Sequence, residues 1–445
     1  MKKLFSIVFS VFALTAFATH ERAGEIIYRH ISGNTYEISA ITYTKGTSSQ
    51  ADRCTQTIYF GDGDSAVVCR SNFESGDPQQ DAWGANGCGG GNPNCGTHHM
   101  GQWTIGNPTL QSLNIKKNIY TITHTYPGYG SYIISMTDPN RNDGIVNVGN
   151  QSAFSIQDTL TIINAPGMAS FNNSVTLTNL PIDRACIGVI FIHNPGAVDP
   201  DGDSLSYKLG ICNQGPSMPV SGYFIPSGVT LNPITGDFIW NSPIKLPSPY
   251  SLPYEYNFAI DIQEWKLNTA NGKRYKISTV RRDMQVTVYE CINKPPVISS
   301  VDDTCILANT NLSLTVTATD PGFNHIYAFD ATGDPFKTNP AATFISDAPI
   351  QSPSTGYFSW SPTCNQVRLQ PYLVTFRALD DGAPDFPPIQ LTDYETFFIR
   401  VIAPAPKNLT AEPSCASMVI KWDAAFCNPA TNPLFQYKNI PQARL

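Results

Sequence analysis

Apolar residues fall on every second position in segment after segment of this chain. The pattern holds in NTYEISAITYT (34–44), NIYTITHTY (118–126), GSYIISMTD (130–138), MQVTVYE (284–290), LSLTVTATD (312–320) and YLVTFRALD (372–380). Period two gives a strand one buried face and one wet face, the pattern of packed antiparallel sheets. No stretch longer than about ten residues keeps a helical period of 3.6. The alternation therefore predicts an all-β protein of sandwich domains.

One block repeats. LNPITGDFIWNSP (231–243) aligns with QSPSTGYFSWSPT (351–363), so that Trp240 falls over Trp360. Asp199-Pro200 likewise falls over Asp320-Pro321, and PYEYNFAIDIQEW (253–265) over PYLVTFRALDDG (371–382). A repeat of that length is one sandwich, which predicts tandem modules over 186–291 and 297–403, after a connector at 166–185. NKPPVI and APAPKNL are proline-rich joints. The matching tryptophans, Trp422 with them, read as core residues.

Composition agrees with the pattern. Of 445 residues, 35 are proline and 32 glycine, and only 14% are charged, which suits short strands joined by turns. The net charge of −7 argues against nucleic acid as a partner. Lys2 and Lys3, an apolar run from Leu4 to Phe17 and Ala16-Phe17-Ala18 form a secretory leader, 1–18, with Thr19 as the first mature residue. That run is too short to span a bilayer and no later stretch comes closer, so the expected product is exported, secreted or on the cell surface, with no membrane-spanning segment in the mature chain.

Export changes how the 11 cysteines read, because an oxidising compartment favours bridges. Sequence proximity suggests Cys54–Cys69, Cys88–Cys95, Cys186–Cys212 and Cys305–Cys364. It leaves Cys291, Cys415 and Cys427, and an odd total that points to a free thiol, an intermolecular bond or an absent partner.

Several motifs carry resemblances. IYFGDGDSAVVC (58–69) and HTYPGYGSYIISMTD (124–138) resemble the two halves of a polycystic-kidney-disease (PKD) domain, here over 19–165, with an unusually long insertion near 83–103. DPDGDSLSY, TGDFIW and YNFAIDI resemble cadherin-like, immunoglobulin-fold modules. The order THERAGEI, FGDGD, RNDGIVN, DPDGDSLSY, EW and RDMQV is similar to that of exported Bacteroidetes surface proteins with gliding-motility-associated C-terminal domains. APKNLTAEPSCASMVIKWDAAFCNP resembles the start of a fibronectin type III domain, truncated over 404–445. These resemblances imply a cell-adhesion component that binds and spaces, with a surface glycan or protein as ligand. The alternative is a carbohydrate-binding accessory protein of a polysaccharide-utilising system.

The candidate chemistry is sparse. In DPDGD, Asp199, Asp201 and Asp203 put carboxylates on alternate residues around a turn, and with Asp261 or Glu264 they supply oxygens that calcium takes in sixes to eights. The same five residues also read as a plain tight turn, with Pro200 fixing φ and Gly202 allowing the bend. The equivalent TDPGFNHI in the second repeat keeps only Asp320. Asp62 and Asp64 read as a hairpin turn. Cys88 and Cys95 are too far apart for a zinc knuckle with His98 and His99, and read as a disulfide-closed surface loop. On that loop Trp83, His98, His99 and Trp103 are the candidate ligand contacts. RDMQV reads as an exposed strand edge with charge pairs. No nucleophile elbow, zinc-protease helix or phosphate loop occurs, so the expectation is a protein that is not an enzyme and has no organic cofactor.

Overall fold

The structure, a computed structural model, describes residues 21–45, 53, 55–71, 115–149, 152–322, 324–405, 407–408, 410–414, 417–421 and 427. The leader, Cys54, Trp83, Cys88, Cys95, His98, His99, Trp103, Cys415 and Trp422 lie outside the described residues. The protein is all-β, built of packed sheets in tandem. Among the described residues the only helical elements are the short 3₁₀ turns Asp334–Lys337 and Cys364–Gln366. None is a helix long and apolar enough to cross a membrane.

Each alternating segment is a strand with its apolar residues inward. In the first unit one side of the sandwich runs Ser65–Cys69, Thr55–Tyr59, Gly130–Asp138, Phe154–Ile162. The other runs Glu21–Ser32, Thr35–Lys45, Ile115–Thr125. Ile26, Tyr36, Ile38, Ile58, Ile134 and Ile156 fill the space between them. The second unit packs Phe238, Phe258, Ile260 and Val286 around Trp240, whose ring meets Tyr256 edge-on at 4.8 Å. In the third unit Trp360 meets Tyr372 in the same way at 4.9 Å, above Val316, Phe376 and Phe397. The tail contributes the hairpin Thr410–Ser414 with Ser417–Lys421.

The residues at 166–185 do not separate two independent sheets. The second unit's hairpin, Tyr254–Leu267 with Arg274–Tyr289, is longer than its own sandwich needs. Its returning strand pairs with Phe154–Ile162 through Ser278 to Arg281, meets the first strand at Gly24 and Asp283, and runs parallel to Ile182–Cys186 through Gln285 to Tyr289. One 13-stranded sheet thus joins the first two units. Only glycine fits at position 24, since a Cβ there would sit 2.5 Å from the Ile41 carbonyl oxygen of the neighbouring strand.

That crossing buries charge. RDMQV is not an exposed edge: Arg282 is 0% and Asp283 1% exposed. Arg141 donates to Asp283 Oδ2 at 2.7 Å, and Asn257 Nδ2 donates to Asp283 Oδ1 at 2.8 Å. Arg282 donates to Glu25 at 3.1 Å and to the Asn179 carbonyl at 2.6 Å. Gln285 binds Asn142 and Asn257, while Arg22 reaches Glu255 at 3.2 Å. Buried charges persist where they are paired, and here the partners come from both units, although Glu25 Oε2, Arg141 Nη1 and Arg282 Nε have no hydrogen bond.

Two disulfide expectations are corrected. Cys186 bonds Cys291, with Cα atoms 5.6 Å apart, because the parallel register sets Cys186 opposite Tyr289. Cys212 is a free, buried thiol, pushed up by burial. Cys364 bonds Cys427, which enters the third unit's core, and Cys305 is free and exposed. Cys69 is disulfide-bonded, and its expected partner Cys54 lies outside the described residues.

Asp158, fully buried between the first unit and the long hairpin, accepts a 3.3 Å bond from Ser278 and offers its other oxygen no partner. Burial pushes its carboxyl up to about 8, although the Thr159 amide and Ser278 favour the charge. The folded chain therefore keeps a proton that an unfolded carboxylate releases near pH 4. The resulting stability is full below that pH and is lost as pH rises through about 8. Asp158→Asn should match the wild-type melting midpoint at pH 4 and exceed it at pH 8.5. A gap that does not widen with pH would contradict the assignment.

Candidate metal centre

The loop after Ala197–Val198 is closed by Asp199, whose Oδ1 accepts the amides of Asp201 at 2.9 Å and Asp203 at 2.7 Å. Gly202 turns the chain at a φ of +76°, in the left-handed region that glycine adopts without strain. The turn leaves Asp199 Oδ2 buried with no hydrogen bond. Asp203 folds back toward the long hairpin, where Glu264 lies opposite Leu205. Glu264 is 0% exposed, and neither of its oxygens has an aligned hydrogen bond; Asn172 and Asp203 are its polar neighbours. One oxygen from each of Asp199, Asp203 and Glu264 lies within 4.8 Å of the others.

Lys266 enters the same space. Its Nζ donates to Asn172 Oδ1 at 2.7 Å and lies 2.9 Å from Asp203 Oδ2, an ion pair without hydrogen-bond alignment. Three carboxylates and one ammonium make −3 + 1, a net charge of −2 when all are ionised. Burial and the neighbouring acids push Asp199 up to about 7, raise Asp203, and lift Glu264 well above the carboxylate range. Crowded, buried, unpaired oxygens of this kind are costly unless a cation joins them.

The five expected ligands divide. Asp199, Asp203 and Glu264 converge, while Asp201 and Asp261 do not. Asp201 points outward and accepts the Asn173 amide at 2.8 Å and its Nδ2 at 2.9 Å, tying the loop to the segment after the first unit. Asp261 takes Arg281 on both oxygens, at 2.6 and 2.8 Å. Successive side chains on a strand alternate faces, so residues three apart cannot share one. Lys266, two residues beyond Glu264, does share its face, and that spacing could have flagged it. Asn172 sits in a patternless stretch and carried no signal.

The donors are all oxygens, the kind that hard cations such as calcium take; Asp199 Oδ2, Asp203 and Glu264 would hold such an ion, with the Asn172 amide beside them. The second repeat lacks the set. Asp320 accepts the amides of Gly322 and Asn324, at 2.7 and 3.1 Å, and Asn324 stands where the first repeat has Asp203. Asp62, Asp64 and His124 also lie close together. There, however, Asp62 is filled: it accepts the Asp64 amide at 3.0 Å and pairs with His124 at 2.7 Å, whose ring stacks on Phe60 at 3.9 Å. Burial opposes the Asp62 charge, but these two bonds hold its carboxyl below the usual range.

The loop is also a joint. Ser204 donates to Gln370 of the third unit at 2.9 Å, and the Asp199 amide lies against Asp334, which pairs with Arg368. Arg368 in turn covers the Tyr372 ring at 3.6 Å. A cavity of about 520 Å³ opens beside Asp203, Trp265 and Lys266, and another of about 850 Å³ beside Asp199, Asp334 and Tyr372.

No family model matches the chain, and no curated protein does. Among solved structures the chain is similar to the SrpA adhesin from Streptococcus sanguinis, at 14% identity and a TM-score of 0.21 over 28% of this chain and 69% of that one. It is similar to mouse clustered PcdhgC3 EC1-3 at 12% identity and a TM-score of 0.20, over 49% and 65%. For titin Ig tandem domains A164-A165 the values are 7% and 0.17, over 52% and 97%. None of these likenesses bears on what this chain binds.

Proposed function

We propose that the chain is an exported, non-catalytic surface protein of the adhesion kind, built of binding and spacer sandwiches and stiffened by one calcium ion on Asp199, Asp203 and Glu264. Glu264 carries the reading: a fully buried carboxylate with no aligned hydrogen bond on either oxygen, set against the Asn172 side chain and facing two further acids. A divalent cation would displace the protons that burial keeps on these acids and join their oxygens, which one lysine cannot do. Calcium suits an irregular oxygen cage, whereas magnesium demands near-octahedral geometry and keeps its water. Because the loop touches the third unit through Ser204 and Asp199, the ion would also stiffen the joint. The bridges Cys186–Cys291 and Cys364–Cys427 support an oxidising compartment, in keeping with the leader. The ligand class expected of such a protein is a surface glycan or protein.

Thermal unfolding of the full chain in EDTA and then in calcium tests this. Calcium at about a hundred times its dissociation constant should add roughly 2.7 kcal/mol to the unit that holds it, a shift of several degrees. Glu264→Gln should abolish the shift, and magnesium should give far less. Equal midpoints in EDTA and calcium would refute the metal reading.

A further inference from the structure

Lys266 is the unexpected member of the acidic cluster. It is 7% exposed, on the same strand face as Glu264, with its ammonium among the oxygens that would ligate an ion. We infer that Lys266 is a tethered counter-cation, holding the carboxylates together in the metal-free chain and yielding its place when a divalent cation enters. This rests on the cation reading above and adds what regulates the site.

Three observations carry it. The Lys266 ammonium lies 2.9 Å from Asp203 Oδ2, so an ion ligated by that oxygen at calcium's 2.3–2.6 Å would face a like charge at close range. The ammonium is shared between the neutral Asn172 amide and Asp203 Oδ2, so its hold on Asp203 is a single charge-assisted contact that another cation can replace. Lys266 also lines the 520 Å³ cavity with Gly202, Trp265 and Gln370. A flexible four-carbon stem can swing its charged head into such a space while its methylenes stay packed. Metal-free, the cluster thus has a partial remedy for its repulsion, and metal binding must displace it. The lysine lowers affinity for the ion while letting the unit fold without one.

The test is isothermal titration of EDTA-stripped full chain with calcium, with magnesium as control, for wild type, Lys266→Met, Lys266→Gln and Glu264→Gln. Melting is followed in parallel in EDTA and in calcium. Both Lys266 variants should bind calcium at least tenfold tighter than wild type. They should melt lower than wild type in EDTA and recover in calcium. A variant that folds only when calcium is present supports the same conclusion. Wild-type binding with equal or weaker binding by both Lys266 variants overturns the role of the lysine and leaves the metal site standing. No heat and no shift in wild type or in either Lys266 variant overturns the metal site, and the lysine's role with it.

Discussion

Asp283→Ala lowers the unfolding free energy of the joined first two units by about 3–5 kcal/mol, the usual cost of stranding one member of a buried ion pair. Asp283 is 1% exposed, and its two oxygens take Arg141 and Asn257. Without it Arg141, whose guanidinium lies over the Phe154 ring at 4.9 Å, keeps its charge with only carbonyl oxygens for partners. Because the pair joins residues 142 positions apart, its loss should loosen the sheet where the first unit meets the long hairpin. Lys245→Ala is the control: Lys245 and Glu290 form an exposed pair at 2.8 Å, and losing it should leave the midpoint unchanged. Urea melts of both variants decide the matter. Equal small effects would show that the buried network is not what joins the units.

Removing the Cys186–Cys291 bridge, by changing both residues to alanine, should cost about 2–5 kcal/mol. The bridge closes a span of 105 residues, the whole second unit, so the unfolded chain gains much freedom when it is cut. It also pins Ile182–Cys186 in parallel register beside the long hairpin, a pairing with no tight turn to enforce it. Cys305→Ser, at an exposed free thiol, should leave stability unchanged. Melts of the double variant and of Cys305→Ser separate the two cases. An unshifted double variant would mean that the sheet register alone holds the unit.

Period-two alternation made the strands legible, and the repeat made the matched cores legible: Trp240 and Trp360 both end a strand and enter a core, although Gly236 sits in a turn at a φ of +83° and Gly356 lies within the strand Ser354–Trp360. The shared sheet was not legible, since nothing local marks that Arg274–Tyr289 outruns its own sandwich. Arg282 and Asp283 looked exposed because charged residues seldom are fully buried. Their partners, Glu25 and Arg141, are 257 and 142 residues away. The bridges failed for a related reason: nearness in sequence favoured Cys212 for Cys186, whereas sheet register delivered Cys291. At the candidate centre, residue type pointed to five acids, and strand alternation separates Glu264 from Asp261.

Terbium luminescence tests the central claim most directly. A lanthanide takes calcium's place among hard oxygens, and Trp265, which lines the cavity beside Asp203, is placed to sensitise it. Excitation of tryptophan in the full chain should give terbium emission that saturates, that calcium quenches by competition, and that disappears in Glu264→Gln. Emission that Glu264→Gln leaves intact, or that calcium cannot displace, would contradict a calcium centre on Asp199, Asp203 and Glu264.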